Sequence, residues 1–331
     1  MRMRRFVVDA PLQGHYEEAD APEVVNADDV RVRITAAGVC GTDLHIWHGL
    51  RPQPLPFVIG HEYVGIVESV GSAVTKVQVG DYVTGEANYT CGKCQMCVTG
   101  HGNLCEHRLG LGQQVPGVFQ EYTVAPERFI WKLPANVSKA AGGGMEAGLV
   151  GYHAVHMAKV GDMDRVLIYG AGCLGLWALQ CAKVCGGIVT MADLNKERLA
   201  LAKELGADHV VCTAEEELPE KSFEKVIDCA GVVATNQDTV RVCADNGDIV
   251  FVGQSPKPVS FNMRDIVRRE LHLHGSLASN GEYPAFIRML EKGIISGDKI
   301  GNGIFPFEQI PEALEAMHKQ TAIKPIIDFT L

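Results

Sequence analysis

A chain of 331 residues is long enough for two domains, each with its own apolar core. Its 40 acidic residues exceed the 30 basic ones, for a net charge of -10. That excess repels phosphate backbones and anionic lipid surfaces, so neither nucleic acid nor membrane is expected as a partner. No segment approaches the roughly 18 consecutive apolar residues of a membrane helix, and the opening MRMRRFVVDAPLQG lacks an apolar signal core. A cytoplasmic location is the expectation. There are eleven cysteines, an odd number. Most are scattered through apolar patterns (Cys173, Cys181, Cys185, Cys229), as small buried hydrophobes are, and no disulfide framework is expected.

Up to about residue 135 the chain reads as short strands punctuated by glycine, among them VRVRITAAGVC, VGIVESVG, GDYVTG and FQEYTVA. Two stretches in this region carry metal-ligand types, GVCGTDLHIWHG (38–49) and GHEYVGIVESVG (60–71). Cys40 and His61 offer one sulfur and one imidazole, a mixed set that zinc accepts. Taken singly, each is an ordinary core residue. Their company raises them: Thr42 and His45 are spaced to pass a proton, and Asp43 and Glu62 to orient ligands. Trp47 and Phe119 are candidates either for a pocket wall or for the core. The next stretch, CGKCQMCVTGHGNLC (91–105), places Cys91, Cys94, Cys97 and Cys105 in the spacing C-x2-C-x2-C-x7-C. Four thiolates complete a tetrahedral zinc shell and leave no open position, so the expected role is structural. An iron–sulfur cluster and unrelated thiols are the competing readings.

From about residue 145 the texture changes to apolar strand, glycine turn and amphipathic helix, repeated. RVLIYG leads into CLGLWALQCAKVCG, and GIVTMAD into NKERLALAKELG. Such alternation predicts a parallel sheet covered by helices, a doubly wound α/β domain. YGAGCLG sets Gly170, Gly172 and Gly175 in a G-x-G-x-x-G pattern between strand and helix, the pattern of a dinucleotide loop. Amides at the helix N-terminus, at Cys173 and Leu174, then meet the phosphates. Asp193 ends the second strand, where a carboxylate accepts hydrogen bonds from ribose hydroxyls and repels a 2′-phosphate. NAD is therefore expected over NADP. The last fifty residues contain two helical segments, YPAFIRMLEKGII and PEALEAMHK, and the strand-like IKPIIDFTL.

The runs C-G-T-D-x-H (40–45), G-H-E-x-x-G-x-V (60–67) and the four-cysteine stretch, in that order, resemble the zinc-dependent medium-chain dehydrogenase/reductase family over essentially the whole chain. The nearest likeness is to its sorbitol/polyol and L-threonine dehydrogenase branch. The resemblance implies a GroES-like β-rich catalytic domain over 1–146, completed by 277–331, and a Rossmann NAD-binding domain over 147–276. It implies two zinc ions per chain and a small alcohol as substrate. The third ligand of the catalytic zinc, beside Cys40 and His61, would be Glu146 in GGGMEAGLVGYHAV (142–155). Glu62 is the alternative ligand. Ala147 departs from the proline usual after that glutamate, and three glycines precede it. Thr42 and His45 would relay the alcohol proton, and Lys324 would lie near the cofactor pyrophosphate. The short chain between Cys105 and Phe119 implies a homo-oligomer, with a tetramer favoured. L-threonine 3-dehydrogenase, a simple alcohol dehydrogenase and a zinc-free dinucleotide-binding relative stand as alternatives.

Overall fold

The structure is a computed structural model that describes residues 1–255 and 257–331. The chain parts into two compact units, Met1–Glu146 with Ile287–Leu331, and Ala147–Phe286. The resemblance put the return to the first unit at 277; the division falls at Ile287, within the helix Tyr283–Glu291. Phe286 is the reason, since its ring is buried 5.2 Å from that of Trp177 in the second unit.

The first unit is built on a seven-stranded sheet whose central strand is Asp29–Gly38. Its sequence DVRVRITAAG starts with period-two burial: Val30, Val32 and Ile34 point inward while Arg31 and Arg33 reach outward. From Thr35 to Gly38 every residue is buried, because other parts of the chain cover both faces there. Glu62–Val70, Tyr122–Pro126 and Ile326–Asp328 all pair with this strand antiparallel. A strand from near residue 326 thus completes the sheet begun near residue 29. Phe6, Trp47, Ile59, Phe119 and Phe307 belong to the apolar core of this unit. Full burial of side chains of this size stabilises by roughly 1.5–3 kcal/mol each. Trp47 and Phe119 are thus part of this core.

The second unit is a six-stranded parallel sheet in the order His209–Cys212, Ile188–Asp193, Arg165–Tyr169, Phe223–Asp228, Cys243–Phe251, His272–Gly275. Counted along the chain this is 3-2-1-4-5-6, the order of dinucleotide-binding sheets, whose ligand site lies at the carboxyl ends of the first strands. Strand RVLIY is buried from Val166 onward, and the helix Cys173–Val184 that follows covers it with Leu176, Trp177 and Leu179. Asn195 caps the next helix, Lys196–Glu204, by accepting from the amides of Glu197 and Arg198.

Candidate active site

Strand Asp29–Gly38 ends at Gly38, and the chain turns at once into the short helix Gly41–Trp47, with Cys40 as its N-cap. Asp43, wholly buried on the first turn, fixes this geometry. Its Oδ2 accepts from the Cys40 amide at 2.9 Å and its Oδ1 from the Gly60 amide at 3.0 Å. The same Oδ1 lies 3.3 Å from Nδ1 of His61. One carboxylate therefore holds the backbone on both sides of the site and faces the imidazole, as partners of metal-bound histidines do. Burial disfavours charge on His61, but the Asp43 carboxylate and the Cys40 sulfur outweigh it and hold its pKa well above the ordinary value.

Donor atoms of Cys40, His61 and Glu62 all lie within 4.8 Å of one another. His61 and Glu62 are buried, and Cys40 is partly so. Glu62 opens the strand Glu62–Val70, while His61 stands just before it. Strand alternation therefore does not separate the two neighbours, and both reach one centre. Glu62 Oε1 accepts from Nζ of Lys324 at 2.5 Å, an ion pair with both side chains almost wholly buried. Its other oxygen, Oε2, is buried without a hydrogen-bond partner. Glu146 is buried beside this group rather than in it. Burial first, then the Glu62 charge, push its carboxyl up to about 7, opposed by His61 and Lys324. The glycines before Glu146 keep this neighbourhood thin. A Cβ on Gly142 would stand 2.6 Å from Val64 Cγ1, and one on Gly144 3.2 Å from Lys324 Cγ. Gly38 is constrained likewise, since a Cβ there would meet Gly143 O at 2.2 Å and Glu62 Oε2 at 3.1 Å.

The four cysteines of 91–105 also converge, with all Sγ atoms within 4.8 Å. The sulfur separations are 4.0 Å for Cys91–Cys97, 3.6 Å for Cys94–Cys97 and 3.8 Å for Cys94–Cys105. Tetrahedral ligands at about 2.3 Å from a zinc ion stand roughly 3.8 Å apart. These sulfurs have that spacing, and none is joined in a disulfide. Amides of Lys93 and Cys94 point at Cys91 Sγ, at 3.5 and 3.3 Å, and the Cys91 amide at Cys105 Sγ, at 3.3 Å. Such donors favour thiolates. The Cys94 thiol is lowered to about 6 by nearby amides, Cys97 first, while burial pushes Cys97 up to about 12.

In the second unit, the turn after Tyr169 depends on glycine. Gly170 has φ +92, and a Cβ on Gly175 would stand 1.8 Å from Gly170 O. A Cβ on Gly172 would meet nothing within 4 Å, so the backbone lies open at the N-cap of Cys173–Val184. That is the space a pyrophosphate needs above the amides of Cys173 and Leu174. Asp193 Oδ2 accepts from the Ala171 amide at 2.7 Å, and its Oδ1 from that of Asn195 at 2.8 Å. The acid is thereby locked to the turn it would serve.

Comparison with known proteins agrees with both units. Residues 26–135 match the alcohol dehydrogenase GroES-like domain and 173–292 the zinc-binding dehydrogenase domain. A sorbitol dehydrogenase of Halalkalibacterium halodurans is 30% identical over 328 residues, 95% of this chain and 96% of the relative. The chain belongs to the zinc-binding alcohol dehydrogenase family. A D-arabitol-phosphate dehydrogenase of Enterococcus avium is 34% identical over 94% of this chain and 92% of its own length. An alcohol dehydrogenase structure from Escherichia coli, solved with NADH, superposes at a TM-score of 0.90 with 29% identity over 99% of both chains.

Among its described residues this dehydrogenase thus has two donor clusters and, at Gly172, an open glycine turn. The residues fit the groups the family uses. The S, N and O donors of Cys40, His61 and Glu62 suit zinc, and the orphaned Glu62 Oε2 is a buried acceptor that a cation would satisfy. Of the residues singled out in the sequence, Cys40, His61 and Glu62 meet directly, with Glu146 alongside. Thr42 sits half-buried two residues beyond Cys40, and His45 is exposed near the end of the same helix. Lys324, expected near a pyrophosphate, donates its ammonium to Glu62 in this structure. Reading residues in order gave no sign of that pairing, because the partners stand 262 positions apart.

Proposed function

We propose that this dehydrogenase oxidises a secondary alcohol of a polyol, sugar alcohol or hydroxy amino acid with NAD, holding one catalytic and one structural zinc per chain. The observation that carries the proposal is the convergence of Cys40, His61 and Glu62, with Glu146 beside them, in a buried pocket organised by Asp43. When bound, zinc supplies the Lewis acidity that loosens an alcohol proton, and NAD supplies the hydride acceptor. The chain does the rest. Cys40, His61 and a carboxylate, Glu146 or Glu62, hold the metal. Thr42 Oγ1 takes the proton and passes it on toward His45, whose exposed ring delivers it to water. Gly172 and the amides of Cys173 and Leu174 seat the pyrophosphate, and Asp193 accepts from the adenosine ribose and repels a 2′-phosphate. Lys324 holds Glu62 in place and remains the cation we assign nearest the dinucleotide phosphates. The sorbitol and arabitol-phosphate dehydrogenases among its relatives support a polyol substrate, and a homo-oligomer, tetrameric by family analogy, is the assembly we propose.

The test joins metal analysis to turnover. Wild-type protein is expected to hold two zinc ions and to form NADH with at least one of sorbitol, xylitol, threonine, butanediol or ethanol. Cys40→Ser should hold one ion and form none while still binding NADH. Full turnover by Cys40→Ser would overturn the proposal.

A further inference from the structure

We infer that Arg51 is a specificity-determining residue that reads an anionic group, phosphate or carboxylate, at the far end of the alcohol substrate. This rests on the dehydrogenase reading above and adds to it the charge class of the substrate. Arg51 is held at two points. Its amide donates to His45 O at 3.1 Å, which ties it to the end of the helix that begins at Cys40. Its Nη2 donates to Gln113 Oε1 at 2.5 Å. Gln53 Nε2 donates to Gln113 O at 2.8 Å, so the glutamine is itself anchored.

The loop that carries Gln113 is packed on the metal site. A Cβ on Gly112 would stand 2.5 Å from Gly60 O, and the Gly117, Val118 and Phe119 amides donate to Val58, Gly60 and Ile59. Gly60 is the residue before His61, and its amide is one of those Asp43 holds. Arg51 therefore bridges two segments, each tied to a metal donor: the Cys40 helix and the backbone before His61. Five residues of helix separate Cys40 from His45, a rise of about 8 Å. A polyol chain with one carbinol beside Cys40 spans that distance.

The charge is what makes the position informative. Arg51 is exposed, and the partner of its guanidinium is a neutral amide rather than a carboxylate. By contrast Arg4, Arg5, Arg31 and Arg165 of the same chain are all paired with glutamates. In a chain of net charge -10, an exposed cation hydrogen-bonded to an amide and tethered to both segments that carry metal donors is a ready partner for an incoming anion. Gln113 presets the guanidinium, which lowers the ordering cost of forming a fork to phosphate or carboxylate.

The experiment measures binding of D-arabitol, D-arabitol phosphate and D-gluconate by calorimetry to the zinc-loaded full chain with NADH present, so that no oxidation occurs. At least one of the two anions is expected to bind about tenfold or more tightly than arabitol. Which of them does so separates phosphate from carboxylate. Arg51→Gln should bring the ratio close to one, Arg51→Lys should keep most of it, and added salt should lower it in the wild type only. The inference is overturned if neither anion binds more tightly than arabitol, or if the ratio survives Arg51→Gln. It is equally overturned if all three affinities fall together with thermal stability, since Arg51 would then be only a structural clip. NADH formation with neutral polyols is read separately. Its absence would count against the dehydrogenase reading, whereas the binding ratio speaks to Arg51 alone.

Discussion

Asp43 does its work without being a ligand in any reading. Its two oxygens hold the amides of Cys40 and Gly60 and face the His61 ring. Replacing it with alanine leaves two buried amides without an acceptor and lets the imidazole turn. We expect Asp43→Ala to weaken catalytic zinc by about 10–100-fold, measured as metal retained against a graded chelator, with the four-cysteine zinc unaffected. The Lys324–Glu62 pair makes a different prediction. Lys324→Met strands a buried carboxylate and should cost about 3–5 kcal/mol in denaturant unfolding of metal-free protein. The double change Lys324→Met with Glu62→Leu should recover most of that loss. At this scale the sequence was read unevenly. Cys40 and His61 were legible as chemistry because sulfur and imidazole are rare ligand types in a suggestive setting. Lys324 was legible only through the family resemblance, which implied a place near the pyrophosphate and not a partner. Its partner stands 262 positions away, and no local pattern records that the strands Glu62–Val70 and Ile326–Asp328 both flank Asp29–Gly38.

Elements built on spacing were the most legible. The sulfurs of 91–105 stand about one zinc tetrahedron apart, and RVLIY followed by glycines and an amphipathic run matches the strand, turn and helix found at 165–184. The turn is intolerant for a simple steric reason. Gly175→Ala must move the helix away from Gly170 O, so NADH affinity measured by fluorescence titration should fall at least tenfold. Less legible was the join of helix Met145–Met157 to the segment before Tyr283. There Glu282 Oε1 lies 2.6 Å from His153 Nδ1 and 3.8 Å from His156 Nδ1, with Oε2 accepting from the Asn280 amide. Burial would raise this carboxyl, but His153, His156 and the amide prevail and hold it at about 2. A depressed carboxylate pKa stabilises the fold above the unfolded value near 4.5, and the contribution is lost as pH falls from there toward 2. Thermal melts of the wild type should therefore drop through that window, and Glu282→Gln should flatten this part of the profile.

At the scale of the molecule, the two clusters of metal donors among the described residues belong to the first unit and the glycine turn Gly170–Gly175 to the second. Stripping zinc with a chelator is therefore expected to lower the melting transition of the first unit while NADH still raises that of the second, in calorimetry of the full chain. The two textures of the sequence, glycine-punctuated strands and then alternating strand and helix, are legible because periodicity follows from local geometry. The return at Ile287 was beyond such reading, since it turns on Phe286 packing against Trp177. The split arrangement also imposes an order in time. The strand at 326–328 and the Lys324 ammonium lie downstream of the entire second unit, yet strand Asp29–Gly38 and Glu62 wait for them. During translation a ribosome delivers Cys40 and His61 early and must then complete the inserted unit before Glu62 can be neutralised. A nascent chain that has emerged from the ribosome to about residue 300 should already recognise dinucleotide, while its catalytic pocket stays half-made until the last stretch follows.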